Sequence, residues 1–303
     1  MDSKLSRRKF LGTAAATAAL GASVCNVARA EKPKRPNIIY IYTDQQSATM
    51  MSCAGNKWLK TPAMDYIAKN GIRFERAYTT NPVCSPARLS LMSGRFPGSF
   101  DYKKGPAREN HGAMAIKPLS DEVKKTTLAA FLKQADYELA YGGKTHLPGS
   151  LQPKTLGFKV IAKDQRDNLA DACANYIKQK HDKPYFLIAS FINPHDICFM
   201  ALRGMTFDKP MTPKVRKNNI AERKLLEAMK LPDGVSEEEF FAKHCPPLPK
   251  NYEPQKDEPK AIESLLTRRA FRMSARKNYT DKDWRLHRWA YLRLTEVVDR
   301  QIQ

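Results

Sequence analysis

The sequence predicts an α/β fold with a central, mainly parallel sheet flanked by helices. Three observations carry that expectation. Two apolar runs, Asn37 to Thr43 (N-I-I-Y-I-Y-T) and Tyr185 to Phe191 (Y-F-L-I-A-S-F), lack the polar alternation of a half-exposed strand and read as strands buried on both faces. Helical patterns stand between such runs, the order that yields a parallel sheet with helices packed on it. The predicted strands also end on polar residues, first Asp44, then Lys144 and His146, then His195. In open parallel sheets, ligands collect at these carboxyl ends.

Length and composition set the outer bounds. The 303 residues suffice for a large core without staples, and no apolar run is long enough for repeated membrane crossing. Thirteen Phe, twelve Tyr and three Trp argue against wholesale disorder, and six Cys are too few for a disulfide scaffold. The net charge of +21 suggests an anionic partner without naming it. A nucleic acid is not expected, because no stacking or groove-reading motif accompanies the charge.

Taken in order, residues 1–30 read as an export signal. Arg7-Arg8 precede an apolar follow-on and an Ala-rich stretch, and Ala28-Arg29-Ala30 offers a cleavage site, the layout of a bacterial twin-arginine signal. The expected compartment is the periplasm or the cell exterior, reached through the twin-arginine translocase without stable membrane insertion. The segment carries five Lys/Arg and one acid, so removing it lowers the charge by four to +17. Five Cys remain (Cys53, Cys84, Cys173, Cys198 and Cys245), an odd number, and a chain that folds before export is expected to form few disulfides.

In the mature part, 31–303, Asn37–Thr43 is the first strand. Thr61-Pro62 opens a helix that Asn70-Gly71 closes. Ile72–Tyr78 reads as a second strand. After a loop over 79–87, a helix starts near Pro86 and ends at Ser93-Gly94. Thr126–Gln134 is helical, Tyr137–Tyr141 is a strand, Asp164–Lys180 is an amphipathic helix, and Tyr185–Phe191 is a buried strand ending at Asn193-Pro194-His195. Residues of about 200–282 are rich in Lys and Pro and read as a surface insertion with short helices near 221–230 and 236–243. A long helix over 283–303 carries Trp284, Trp289 and Leu292 as core residues.

The sharpest local pattern is Cys84-Ser85-Pro86-Ala87-Arg88-Leu89-Ser90-Leu91-Met92-Ser93-Gly94-Arg95. A Cys at a helix start lies where backbone N–H groups and the helix dipole favour negative charge, and Arg88 one turn on adds a fixed cation. These residues read either as an activated nucleophile in an anion site or as a structural Cys in a turn.

The whole stretch resembles the signature of type I sulfatases, in which C-x-P-x-R leads to a Ser/Thr-Gly-Arg/Lys ending and the Cys is oxidised to formylglycine. Three further segments resemble the same family in the same order. Arg35 to Gln45 is similar to its first strand and metal-binding end, Gly143-Lys144-Thr145-His146 to its G-K-x-H segment, and Asn193-Pro194-His195-Asp196 to its P-H segment. The resemblance implies an alkaline-phosphatase-like α/β sandwich that hydrolyses sulfate esters of a saccharide or small organic molecule.

It also implies roles. Cys84, converted by a formylglycine-generating maturation enzyme, supplies the attacking hydroxyl of an aldehyde hydrate. Arg88 holds that hydrate, Lys144 and His195 neutralise sulfate oxygens, and His146 orients the hydrate. Asp44 and Gln45, with the modified Cys84, ligate a divalent cation, Ca²⁺ in the first place and Mg²⁺ in the second. Gln45 stands where an acidic residue is commoner, which lowers the site's charge by one. Asp196 reads as a supporting or turn residue, and His111 and His244 have no supporting context.

The family carries further metal ligands in a later strand-end motif, Asp followed by Asn or His and Gly, and no D-N-G or D-H-G occurs here. Tyr291–Ile302 resembles the helix before that motif. The resemblance therefore implies a catalytic domain cut short at its C-terminus, with part of the acidic metal shell and one strand missing. Two alternatives stand beside the sulfatase: a phosphonate or phosphate monoester hydrolase of the same superfamily, and an inactive remnant that binds anions.

Overall fold

A computed structural model of the chain describes residues 35–102, 116–210 and 219–303. The export-signal reading of 1–30, His111 and residues 211–218 of the insertion lie outside them. Four strands form one sheet in the order β1-β4-β2-β3: β1 Ile38–Asp44, β2 Glu138–Gly143, β3 Lys159–Ala162 and β4 Tyr185–Pro194. Every pairing is parallel, with Ile38 opposite Phe186, Glu138 opposite Tyr185 and Ala140 opposite Lys159. β3 has only four residues and carries Lys159 among them, so it gave no apolar run to read in the sequence.

Central position explains why β4 is buried along all ten residues. Its side chains alternate between two cores. Phe186 and Ile188 join Leu139 and Tyr141 of β2 on one face, beneath Leu89 and Met92 of helix α1 (Cys84–Ser93) and Ala129 of helix α2 (Leu128–Gln134). Leu187, Ala189 and Phe191 join Ala140 on the other, beneath Leu169, Cys173 and Tyr176 of helix α3 (Leu169–Ile177) and Val298 of the long helix α4 (Asp281–Ile302). Helices on both faces of a parallel sheet are the expected layering.

Several expectations change. β1 is not buried on both faces. Ile38, Ile39, Tyr40 and Ile41 are 37–43% exposed, because β1 is an edge strand whose ladder partner among the described residues is β4 alone. Residues 72–78 form no strand, and Ile72, Phe74 and Tyr78 are 75–89% exposed. A β-rich composition without a neighbouring strand to accept its backbone bonds does not make a strand. The helix expected over 164–180 is confined to α3. Residues 164–168 are a loop, in which the Asp164 carboxylate accepts from the Arg166 and Asn168 N–H groups at 3.0 and 2.7 Å. Such local side-chain bonds compete with the helix.

The region of 200–282 is also more than a surface insertion. Leu225 and Met229 of the helix Ile220–Met229, Phe240 and Cys245 pack with Leu286, Trp289, Ala290 and Leu294 of α4 in a third core. Phe240 and Trp289 meet edge to face with ring centres 5.1 Å apart. Lys and Pro between these apolar residues masked their spacing. The helices Lys260–Thr267 and Ala270–Asn278 went unread for the same reason. The expected helix Pro62–Asn70 is present, but Thr61 does not cap it with its hydroxyl, which pairs with Ser52 Oγ at 2.8 Å. Asp299 of α4 takes the Ala63 and Met64 N–H groups instead, at 3.2 and 2.9 Å.

Cys53, Cys84, Cys173, Cys198 and Cys245 are all free thiols. No described helix is long and apolar enough to cross a membrane.

Candidate functional site

Three parallel strands deliver their carboxyl ends to one place, and α1 starts beside them. β1 ends at Asp44, β2 at Gly143 before Lys144, and β4 runs to Pro194 before His195. The peptide bond between Asn193 and Pro194 is cis, and His195 opens a single helical turn, His195–Ile197. Helix α1 begins at Cys84 itself, two residues earlier than expected, with extended Val83 as its N-cap and no side chain capping it. Its first N–H groups are therefore available near residue 84. Ser85, next in the chain, is fully buried.

Asp44 is the hub. Its Oδ2 accepts from Arg88 Nη2 at 2.8 Å and from Lys144 Nζ at 3.0 Å, and all three side chains are at most a tenth exposed. Burial works to raise the Asp44 carboxyl, but Lys144 and Arg88 outweigh it and hold the group below the usual carboxylate range. One carboxylate thus faces two cations, a surplus of one positive charge in a poorly solvated pocket.

Arg88 is fixed on its other side by hydroxyl and carbonyl oxygens. Nη1 lies within hydrogen-bond distance of Tyr42 Oη, the Lys144 carbonyl (2.7 Å) and Ser190 Oγ (2.8 Å). Its guanidinium lies over the Tyr42 ring, 4.5 Å from the centre. The Lys144 carbonyl also accepts from Tyr141 Oη at 2.6 Å and Ser190 Oγ at 2.7 Å. The Lys144 N–H in turn donates to the Ser190 carbonyl at 2.9 Å. Gly143 permits this contact: its φ is +90°, and a Cβ there would stand 2.1 Å from the Ser190 carbonyl oxygen.

Cys84 Sγ meets His146 Nδ1 at 3.0 Å. His146 has φ +44°, a left-handed conformation that non-glycine residues adopt at some cost, as does Gln45 at +64°. Two of the three such residues in the described chain are thus predicted site residues.

His195 lies in the same electrostatic neighbourhood. Burial, then Lys144, push its imidazole below the usual histidine range, with Asp44 and Asp196 opposing them. Relative to a free histidine, this surrounding favours the uncharged imidazole. Cys198 Sγ lies 3.9 Å from His195 Nδ1.

Asp44, Arg88 and Lys144 are thus joined directly, and Cys84 is joined to His146. The remaining predicted residue, Gln45, is exposed, and its backbone carbonyl is engaged by the Tyr291 hydroxyl of α4. Among the described residues no three His, Cys, Asp or Glu side chains gather to hold a cation. Ca²⁺ takes six to eight oxygens. One carboxylate already shared by two cations, with one exposed amide, does not fit that requirement. The expected cation site is not complete in these residues.

Sequence reasoning missed Tyr42, Tyr141 and Ser190. Ser190 left a signal: a lone hydroxyl inside the buried run Y-F-L-I-A-S-F must find a partner. Tyr42 left a weaker one, since it lies two residues before Asp44 and shares its side of β1.

Residues 36–228 match the family model described as Sulfatase. The chain is 38% identical over 116 residues to an uncharacterized sulfatase of Escherichia coli, a match covering 38% of this chain and 21% of that protein. It is 29% identical over 212 residues to a Delta 4,5-hexuronate-2-O-sulfatase of Bacteroides thetaiotaomicron, covering 64% of this chain and 41% of that one. The solved structure of a 2-O GAG sulfatase superposes with TM-score 0.60 at 22% identity, over 89% of this chain and 53% of that chain. The chain thus spans about half the length of this solved relative and less of the curated ones.

Proposed function

The chain belongs to the sulfatase family, and from that membership we propose that it hydrolyses sulfate esters of a saccharide, with residue 84 as the nucleophile. The observation that carries this reading is the cluster of Asp44, Arg88 and Lys144 beside the Cys84–His146 pair, one carboxylate against two buried cations. A sulfate ester is an anion that gains charge on its peripheral and leaving oxygens as the S–O bond breaks. A preorganised positive surplus stabilises that change most where water is excluded. A saccharide is favoured because a curated relative is named for a sulfated hexuronate.

Within this reading Cys84 is converted to formylglycine before turnover. The formylglycine hydrate would supply two hydroxyls at residue 84: one would displace the saccharide alcohol from sulfur as the ester S–O bond breaks, and the other would lose its proton as the aldehyde re-forms and sulfate leaves. Arg88 holds the group at position 84 and the sulfate near it. Lys144 stays between Asp44 and the sulfate. His146 takes or returns a proton at the residue 84 oxygen, and His195 donates a hydrogen bond to a sulfate oxygen. Conversion by a maturation enzyme and export through the twin-arginine translocase to the periplasm or exterior complete the proposal.

The test is to co-produce the chain with a formylglycine-generating enzyme, verify the aldehyde by mass spectrometry, and assay sulfated monosaccharides, aryl sulfates and aryl phosphonates. Turnover of sulfate esters that disappears in Cys84→Ala is the expected result. Faster turnover of phosphonates, or none of any ester by the converted chain, overturns the proposal.

A further inference from the structure

Behind His195 stands an ion pair that the proposed chemistry does not use. Asp196 is fully buried, and Arg166 grips it with a two-pronged fork, Nε to Oδ2 at 2.9 Å and Nη2 to Oδ1 at 2.6 Å. Arg166 belongs to the loop 164–168, which is itself anchored on three sides. Asp164 accepts from its N–H groups, the Gln165 carbonyl accepts from Ile192 N–H of β4 at 3.2 Å, and Gln301 of α4 donates to the Arg166 carbonyl at 2.6 Å. At the other end the Asp196 N–H donates to Asn193 Oδ1 at 3.3 Å, closing the turn around the cis peptide bond.

We propose that Arg166 is a positioning residue for His195. It pins the one-turn segment His195–Ile197 to the body of the sheet, and it keeps the Asp196 carboxylate neutralised beside a site built for an anion. The catalytic consequence rests on the sulfate-ester reading above; the positional one does not.

A single hydrogen bond fixes a distance, whereas a bidentate guanidinium fork also fixes orientation. Residue 196 is therefore held in rotation as well as position, and His195 is its immediate neighbour. The Cys198 thiol, 3.9 Å from the ring, is too soft and distant a partner to do this instead.

The charged groups that face His195 are Lys144, Asp44, Asp196 and Arg166. With the fork closed, Asp196 and Arg166 cancel, and the surplus positive charge of Arg88 and Lys144 over Asp44 stands. With Arg166 removed, a buried carboxylate one residue from His195 would cancel that surplus and repel sulfate.

The experiment uses the full chain with Arg166→Gln, Arg166→Lys, Asp196→Asn and the Arg166→Gln/Asp196→Asn double variant. Two readouts are taken: the imidazole ¹⁵N resonance that His195→Gln abolishes, and KM and kcat for an aryl sulfate. Arg166→Gln is expected to shift the His195 resonance and to raise KM about tenfold, with a smaller change in kcat. The double variant, which removes the stranded carboxylate, is expected to bring KM to within about threefold of the parent. Arg166→Lys, keeping charge without the fork, is expected to restore KM while the resonance remains shifted.

A resonance and KM unmoved by Arg166→Gln overturn the proposal, even if the melting temperature falls. A double variant as impaired as Arg166→Gln overturns it too. Absence of aryl sulfate turnover in the parent defeats the proposed function instead, and the His195 resonance then still decides the positional assignment alone.

Discussion

Asp44→Asn is the most direct perturbation of the site, because it removes one charge and almost no volume. In the native site Asp44 Oδ2 sits 2.8 Å from Arg88 Nη2 and 3.0 Å from Lys144 Nζ. Neutralising it leaves two buried cations converging on one amide. Removing one partner of a buried pair typically costs about 3–5 kcal/mol, because the stranded charge stays desolvated. Arg88 keeps Tyr42, Ser190 and the Lys144 carbonyl as partners, so the lower end, about 3 kcal/mol, applies here.

For a domain of this size that loss lowers the melting temperature by roughly 6–12 °C. Thermal unfolding followed by near-ultraviolet circular dichroism at low ionic strength measures it. Asp44→Asn/Lys144→Met removes the second cation and returns the net charge to one positive unit, so it should regain about half of the loss. Inorganic sulfate should raise the melting temperature of Asp44→Asn more than that of the parent, since an anion then replaces the missing carboxylate. A single variant within about 2 °C of the parent, or a double variant less stable than the single, would refute the charge count.

Three further outcomes are expected. Gly143→Ala should cost about 3 kcal/mol or more in chemical denaturation, from a Cβ 2.1 Å from the Ser190 carbonyl oxygen at φ +90°, and should lower aryl sulfate turnover by displacing Lys144. His181 bonds Glu138 Oε2 at 3.0 Å, and Glu138 raises its imidazole above the usual range. Its protonated form is favoured in the folded state, so its stabilising contribution is complete below the ordinary histidine value near 6.5 and fades as pH rises through the raised folded value. Glu138→Gln should flatten that part of the stability profile. Calorimetric titration of this chain with Ca²⁺ should show binding no tighter than about 10⁻⁴ M; micromolar binding would mean that donors beyond Asp44 and Gln45 complete the site.

The sheet, the two-sided layering and the convergence of Asp44, Lys144, His146 and His195 were legible because they depend on short-range signals. These are apolar runs whose ends carry polar residues, and a helix-start Cys with an Arg one turn on. What the sequence hid was set by long-range neighbours. β1 has the same apolar character as β4, and only sheet order makes one an exposed edge and the other a fully buried centre. Ile72–Tyr78 has strand composition but gained no strand beside it. The third core around Trp289 joins residues some sixty positions apart, interleaved with Lys and Pro that read as surface. Arg166 was lost for a related reason: a helical period over 164–180 concealed a loop that Asp164 folds by itself.

The exposed β1 carries a consequence for the protein as a material. Ile38 to Thr43 contains no proline and no charge before Asp44, and its outer backbone groups have no ladder partner among the described residues. Such an edge is a ready template for another strand, and uncharged β-branched and aromatic segments are the ones that stack into fibrils. The net charge of +21 opposes association through this edge, so the edge's contribution is read best at high ionic strength, where that repulsion is screened. A single lysine in place of Ile39 or Ile41, as a gatekeeper on that edge, should do more for the shelf life of a concentrated solution than any change at the catalytic centre.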